Sequence, residues 1–246
     1  MTLRERVRAG QSTRGTFLNL GSAGAAEVCA LAGFDWLLVD LEHGAGGEDG
    51  LVAQLLAGAA RGVPVFARAE SSERIRVGHV LDLGAQGVMF PRLDTPDQVR
   101  EALAHLWYPP QGDRGIAGYN RARQFGGDER DNASVNESLL GIVQIETAPA
   151  LQNVREIASI PGVDVLFVGP SDLSMALGIP GQFDHPTLLA AFDDVIAAAR
   201  DCGIAAGILA VTPERVGALA SRGFSFIGVG SDASLLRLAA KVAAQN

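Results

Sequence analysis

Short apolar runs alternate with segments of helical period from one end of this chain to the other. The runs fall at residues 13–20 (TRGTFLNL), 34–41 (FDWLLVDL), 64–69 (PVFARA), 87–91 (GVMFP), 140–146 (LGIVQIE), 163–169 (VDVLFVG), 205–210 (AAGILA) and 224–230 (FSFIGVG). Most are continuous rather than alternating in polarity, the pattern of strands covered on both faces. Between them lie helical stretches such as GAAEVCALAG, EDGLVAQLLAGAAR, TPDQVREALAHL and HPTLLAAFDDVIAAARDCG. Several open on Ser, Thr or Asp and stop at Gly, as helix caps require. Eight such units in 246 residues predict a closed (β/α)8 TIM barrel, one domain over residues 1–246. A doubly wound open sheet spends fewer strands and reverses direction. Residues 107–138 fit the alternation poorly, being long and polar like loops that are functional or disordered.

Composition narrows the class. Hydrophobic residues make up 48% of the chain, yet no apolar run approaches the roughly 18 to 20 residues of a membrane span. The first fifteen residues are basic without a following apolar stretch, which reads as a short amphipathic helix and not a secretory signal, so a cytoplasmic location is expected. Cys29 and Cys202 both lie in apolar helical patterns and are expected to be buried structural thiols. A net charge of -8 with dispersed arginines excludes a nucleic-acid surface. Of 20 basic residues only Lys241 is a lysine.

A barrel of this kind works at the C-terminal ends of its strands, and there the chain is polar. The second run ends in Asp40, Glu42 and His43, the third in Arg68 and Glu70, the fifth in Gln144 and Glu146, and the sixth runs into GPSDLS with Asp172. Neighbouring strands pair about 4.8 Å apart, so Glu146 and Asp172 can converge on one hard divalent cation with water in the open positions. Each acid alone also fits a helix cap or an ion pair. His43, oriented by Asp82 as a carboxylate–imidazole dyad, would make a general base near neutral pH, although Asp82 equally fits a helix surface. Arg68 closes an apolar strand, where its planar fork can bind an oxyanion or brace the rim. The glycine runs match no nucleotide-binding motif, and GVGSD at 228–232 is a weak phosphate signal.

Together DLEH, LDLGAQGVMFPRL, YPPQGDRG, QIET and VGPSDLSMALG resemble the HpcH/HpaI family of metal-dependent pyruvate aldolases, in the family's order and over nearly the whole chain. The resemblance implies a phosphoenolpyruvate/pyruvate-type barrel assembled as a homo-hexamer, a trimer of dimers, with the C-terminal helix exchanged between neighbours. It implies His43 as proton acceptor, Asp82 as the acid that raises its basicity, and Arg68 as the group that stabilises an enolate oxygen. Glu146 and Asp172 would hold Mg2+, Mn2+ or Co2+, and Arg68, Gln144, Ser171 and Asp172 would contact a keto acid that is released with an aldehyde. In place of the family's usual Pro-Asn-Asp segment after the histidine this chain has GAGGED, a departure that bears on the aldehyde it accepts. Other chemistries on such a barrel are a citryl- or malyl-coenzyme A lyase, a phosphoenolpyruvate-handling enzyme, or a keto-acid binding barrel without catalysis.

Overall fold

The computed structural model describes residues 1–245, and in it the eight runs are eight parallel strands: β1 (Thr13–Leu18), β2 (Trp36–Asp40), β3 (Val65–Arg68), β4 (Gly87–Phe90), β5 (Leu140–Ile145), β6 (Val165–Val168), β7 (Ala205–Ala210) and β8 (Phe226–Ser231). They hydrogen-bond in chain order and close β8 against β1 as a barrel. Around them run α1 (Leu3–Arg8), α2 (Ala23–Leu31), α3 (Glu48–Ala60), α4 (Arg74–Asp82), α5 (Pro96–Ala104), α6 (Asn132–Ser138), α7 (Ala148–Gln152), α8 (Val154–Ala158), α9 (Pro170–Ala176), α10 (Pro186–Asp201), α11 (Val216–Arg222) and α12 (Asp232–Ala244). The expected (β/α)8 TIM barrel is therefore present. Several strands are shorter than the apolar runs because the flanking residues turn: Asp35, for example, sits before β2 and accepts from the backbone N–H of Arg14 at 2.8 Å.

Burial on both faces explains why the runs carry no polar alternation. In β2, Leu37 and Val39 pack outward on the helices while Trp36 and Leu38 point into the barrel. The interior is filled by large rings, Phe17, Trp36, Phe66, Phe167 and Phe226, with Trp36 stacked on Phe226 at 4.3 Å between centroids. Gly15, paired with Trp36 in register, makes room for the indole, since a Cβ there would lie 2.0 Å from the ring.

The N-terminal mouth of the barrel is plugged. Val7 and Leu3 of α1 pack on the inner core, and Arg4 and Arg8 both grip the fully buried carboxylate of Asp164 at the foot of β6, at 3.1 and 2.8 Å. The long segment 107–138 also belongs to this face, because it leads from α5 into the start of β5. It is built, not loose: Asn136 exchanges two hydrogen bonds with the backbone of Tyr108 at 2.8 and 2.9 Å, and the buried Arg114 stacks 4.6 Å from the Tyr108 ring. Only the C-terminal rim is left open.

The two cysteines, both expected to be buried, differ. Cys29 is buried, but Cys202 is exposed, because it sits at the C-cap of α10 and not inside the helix. Among the described residues no helix is long and apolar enough to cross a membrane. The helix α12 is tied down at its start, where buried Asp232 accepts from the N–H of Asn19 at 2.8 Å, and then leaves Leu236 and Leu238 exposed.

Candidate active site

The register of β2 and β3 places Asp40 beside Arg68 at the C-terminal rim. Both are buried, and Asp40 takes the guanidinium edge-on, accepting from Nε at 2.9 Å and from Nη2 at 2.6 Å. The same carboxylate accepts from Asn19 Nδ2 at 2.7 Å and from the N–H groups of Glu42 and His43 at 3.1 Å each, so it also shapes the turn that follows β2. Burial alone would push this carboxyl up, but the bonds and charge of Arg68 with those local donors outweigh it and hold Asp40 below the ordinary carboxylate range. The outer nitrogen of Arg68, Nη1, lies 3.2 Å from Glu42 Oε2 and 3.4 Å from Gln144 Oε1, and the ring of Phe17 lies 5.3 Å from the guanidinium carbon.

Across the rim, Glu146 follows β5 directly. Its Oε2 accepts from Gln144 Nε2 at 2.9 Å and its Oε1 from the backbone N–H of Arg92 at 3.0 Å. Gly169, at the end of β6, permits this placement, since a Cβ there would lie 2.8 Å from Glu146 Oε2. Immediately afterwards α9 begins at Pro170 and carries Asp172 in its first turn. Burial, and then the charge of Asp172, push the Glu146 carboxyl up to about 7. A buried carboxylate raised by the charge of a second one beside it makes a donor set suited to a cation. Their oxygens match a hard divalent ion such as Mg2+ or Mn2+. Among the described residues there is no cluster of three His, Cys, Asp or Glu groups able to share an ion, so two side chains would hold it and leave positions open for ligand.

His43, Arg68, Gln144, Ser171 and Asp172 line one cavity of about 350 Å³, floored by Phe17 and Phe167. Glu146 lies just beneath it, behind Gln144 and Gly169. Larger hollows of about 690 and 460 Å³ lie on the plugged N-terminal face, where no such convergence of acids, base and fork occurs.

Thus His43, Arg68, Gln144, Glu146, Ser171 and Asp172 come together, whereas Asp82 does not join them. It closes α4 shortly before β4 begins, which puts it at the N-terminal rim, and there it accepts from Arg114 Nη2 at 2.6 Å. Within this chain the expected His43–Asp82 pair is not brought together: spacing along the chain says nothing about which end of the barrel a helix terminus reaches, and the two residues lie at opposite ends. The carboxylate in reach of His43 is Glu42, whose Oε2 is 3.8 Å from Nε2. Sequence reasoning also gave no role to Asp40, although a carboxylate closing a buried strand next to the strand of Arg68 was a usable signal. Arg92 and Gly169 act through backbone placement and left no signal at all.

Residues 13–239 match the family described as HpcH/HpaI aldolase/citrate lyase. The hydroxypyruvate/pyruvate aldolase of Sagittula stellata is 39% identical over 95% of this chain and 92% of its own length. A 2-dehydro-3,6-dideoxy-6-sulfogluconate aldolase of Pseudomonas putida is 40% identical over 90% of this chain and 87% of its own. Among solved structures, an HpcH/HpaI aldolase/citrate lyase family protein of Burkholderia cenocepacia superposes with a TM-score of 0.94 at 38% identity, covering 99% of this chain and 97% of that one. This chain belongs to the HpcH/HpaI aldolase/citrate lyase family and is a carbon–carbon lyase of the aldolase type.

Proposed function

We propose that this enzyme is a class II pyruvate aldolase, which reversibly cleaves 4-hydroxy-2-oxo acids to pyruvate, or a related 2-keto acid such as hydroxypyruvate, and an aldehyde. The observation that carries the reading is the placement of Arg68, locked by Asp40, in one open cavity with Asp172, with Glu146 just beneath. The aldolase names of the similar proteins support it.

Glu146 and Asp172 would hold a divalent cation, Mg2+, Mn2+ or Co2+, which when bound supplies Lewis-acid polarisation of the keto oxygen. The chain's own groups do the rest. Arg68 is fixed along one edge and presents Nη1 to the oxygen on which negative charge develops, and such preorganised donors are worth more in a water-poor site than in solution. Gln144 and Ser171 orient the keto acid. In cleavage His43 takes the proton of the C4 hydroxyl, the C4–O electrons form the aldehyde, and the C3–C4 bonding pair moves into the C2–C3 enolate. Protonation of C3 then releases the keto acid, and the addition direction reverses these steps.

Among the described residues Arg68 is the only Arg or Lys lining the cavity, and in this reading it is committed to the keto acid, which favours a small substrate over one with a large anionic handle such as coenzyme A. Exposed Leu236 and Leu238 on α12 support the homo-hexamer in which that helix packs on a neighbour. The test is incubation with pyruvate and Mn2+ or Mg2+ in heavy water. Loss of the methyl proton signal without any aldehyde is expected; a methyl group that never exchanges overturns the reading.

A further inference from the structure

Much of the cavity lining has no part in holding the keto acid, the ion or the proton. It comes from the ends of β7, β8 and β1, where Leu209, Val211 and Phe17 are apolar and Asn19 and Ser231 are polar. Asn19 is held from three sides: its N–H donates to buried Asp232 at 2.8 Å, its backbone carbonyl accepts from the N–H of Ala45 at 2.8 Å, and its Nδ2 donates to Asp40 at 2.7 Å. Asp40, held below the ordinary carboxylate range against its burial by Arg68 and the local donors, can only accept. The amide nitrogen of Asn19 must therefore face it, and Oδ1 accepts from no donor among the described residues. Ser231, on the strand paired with β1, is its complement. Its Oγ accepts from the N–H of Ser234 at 3.2 Å in the cap of α12, while Ser234 Oγ accepts from the N–H of Ser231 at 2.8 Å and donates to the Ser231 carbonyl at 3.0 Å. The Ser231 hydroxyl proton is left without an acceptor among the described residues.

We infer that Asn19 and Ser231 form the aldehyde subsite and select a neutral hydroxyaldehyde, with Asn19 Oδ1 accepting from the substrate hydroxyl and Ser231 Oγ donating to it. The inference rests on the aldolase reading above. A hydroxyl carries one proton and two lone pairs, so it meets an unused acceptor and an unused donor at once. A methyl group in its place would leave both unmet, and a carboxylate or phosphate would bring no proton to Oδ1. An anion finds no other help at this side of the cavity. The N–H groups of Ala233 and Ser234, at the start of α12, are taken by Asp232 and Ser231, and the buried carboxyl of Asp232 lies among them. The GVGSD segment, a weak phosphate signal in the sequence, thus supplies a hydroxyl donor and not an anion seat.

Addition of aldehydes to pyruvate in the presence of Mn2+ tests this with glycolaldehyde and propionaldehyde, which differ by a hydroxyl in place of a methyl group. Their intrinsic reactivities differ too, so the readout is the ratio of their kcat/KM values in each variant relative to the wild type, in which that difference cancels. Ser231→Gly removes the hydroxyl and leaves a residue that caps α12 nearly as well, and Asn19→Ala removes the amide. Each should lower the ratio by about threefold to tenfold, the size of one neutral hydrogen bond. Loss of the Asn19 bond to Asp40 slows both aldehydes alike, so a merely structural role would leave the ratio where it was. Melting curves show which variants fold, and Ser231→Ala and Asn19→Leu replace any that does not. In the wild type, succinic semialdehyde should gain nothing over butyraldehyde, its analogue with a methyl group for the carboxylate. A preference for the acid overturns the hydroxyl assignment. If the wild type exchanges the methyl protons of pyruvate and the ratio stays unmoved in a folded variant at either position, the subsite alone is overturned. A wild type that exchanges none removes it together with the aldolase reading.

Discussion

Asp40 and Arg68 meet edge to edge across neighbouring strands, with both carboxylate oxygens on two nitrogens of one guanidinium at 2.9 and 2.6 Å. Asp40 also receives the first N–H groups of the turn bearing Glu42 and His43, so the oxyanion donor and the proposed base share one anchor.

Removing the anchor should therefore cost both stability and turnover. Asp40→Asn leaves a buried guanidinium short of its counter-charge, a loss on the order of 3 kcal/mol. The pH dependence has a definite sign. A carboxyl held below its unfolded value contributes stability that is complete above about pH 4 and is lost as pH falls through the lower folded value. Thermal melts of the two proteins should differ most near neutrality and converge in acid. A constant difference down to pH 2 would show that the ion pair is not its source.

Arg68→Lys should not restore function. An ammonium keeps the charge but cannot hold Asp40 along one edge while offering a second nitrogen to the substrate. We expect a loss of about a hundredfold in kcat, the scale of one oxyanion donor, with a folded protein by circular dichroism. A lysine enzyme with wild-type kcat would make Arg68 a strut.

How much of this was legible in the sequence follows from what each residue does. The eight strands were legible because burial on both faces leaves continuous apolar runs, as in Trp36–Val39, and the rim acids were legible because those runs end abruptly in charge. The placement of Asp82 was not legible because a helix terminus carries no mark of the face it reaches, and its partner within the chain, Arg114, lies 32 positions away in the one segment without period. The packing of 107–138 was illegible for a related reason: its order comes from side chains such as Asn136 and Arg114 bonding back to distant backbone and ring, not from a repeating pattern. Gly169 and Arg92 contribute space and a backbone N–H, which no residue type announces.

Gly169→Ala tests the claim that this space positions Glu146. The new Cβ would fall 2.8 Å from Oε2 and 3.2 Å from the Glu146 Cβ, so the carboxylate must turn away from its bond with Gln144. The barrel should fold normally, because the displaced atoms are the end of one side chain. Titration of Mn2+ by calorimetry should show affinity weaker by about tenfold or more, the scale of disturbing a group that orients a ligand. Unchanged affinity would remove Glu146 from the ion's ligands or Gly169 from its support.

The raised carboxyl of Glu146 gives a pH signature of its own. Held at about 7, it binds a proton in the folded chain where the unfolded chain has lost it, so its contribution to stability is complete below about pH 4 and declines as pH rises through 7. Chelated protein should melt lower at pH 8 than at pH 5.5 by more than Glu146→Gln does. Added Mn2+ should reverse this at pH 8, and its affinity should rise with pH because binding releases that proton. Equal pH slopes for the wild type and Glu146→Gln would contradict the assignment.

The last prediction concerns what stabilises the enolate, and it rests on a count. Schiff-base aldolases need a lysine amine inside the barrel, neutral enough to attack the keto group. The only lysine in this chain, Lys241, lies on the exposed part of α12, beyond the last strand. Among the described residues no lysine lines the cavity, which fits the proposed electron sink, the oxyanion environment of Arg68 together with a cation on Glu146 and Asp172. Borohydride added with pyruvate should leave the protein's mass unchanged, and Lys241→Arg should retain activity. A chelator should abolish cleavage until Mg2+, Mn2+ or Co2+ is returned. Glu146→Ala and Asp172→Ala should reproduce the chelated state, with kcat lowered by at least about a hundredfold, while melting shows the barrel intact. Cleavage that survives exhaustive chelation in the wild type would defeat the scheme, because the cation proposed on Glu146 and Asp172 would then have no part in stabilising the enolate.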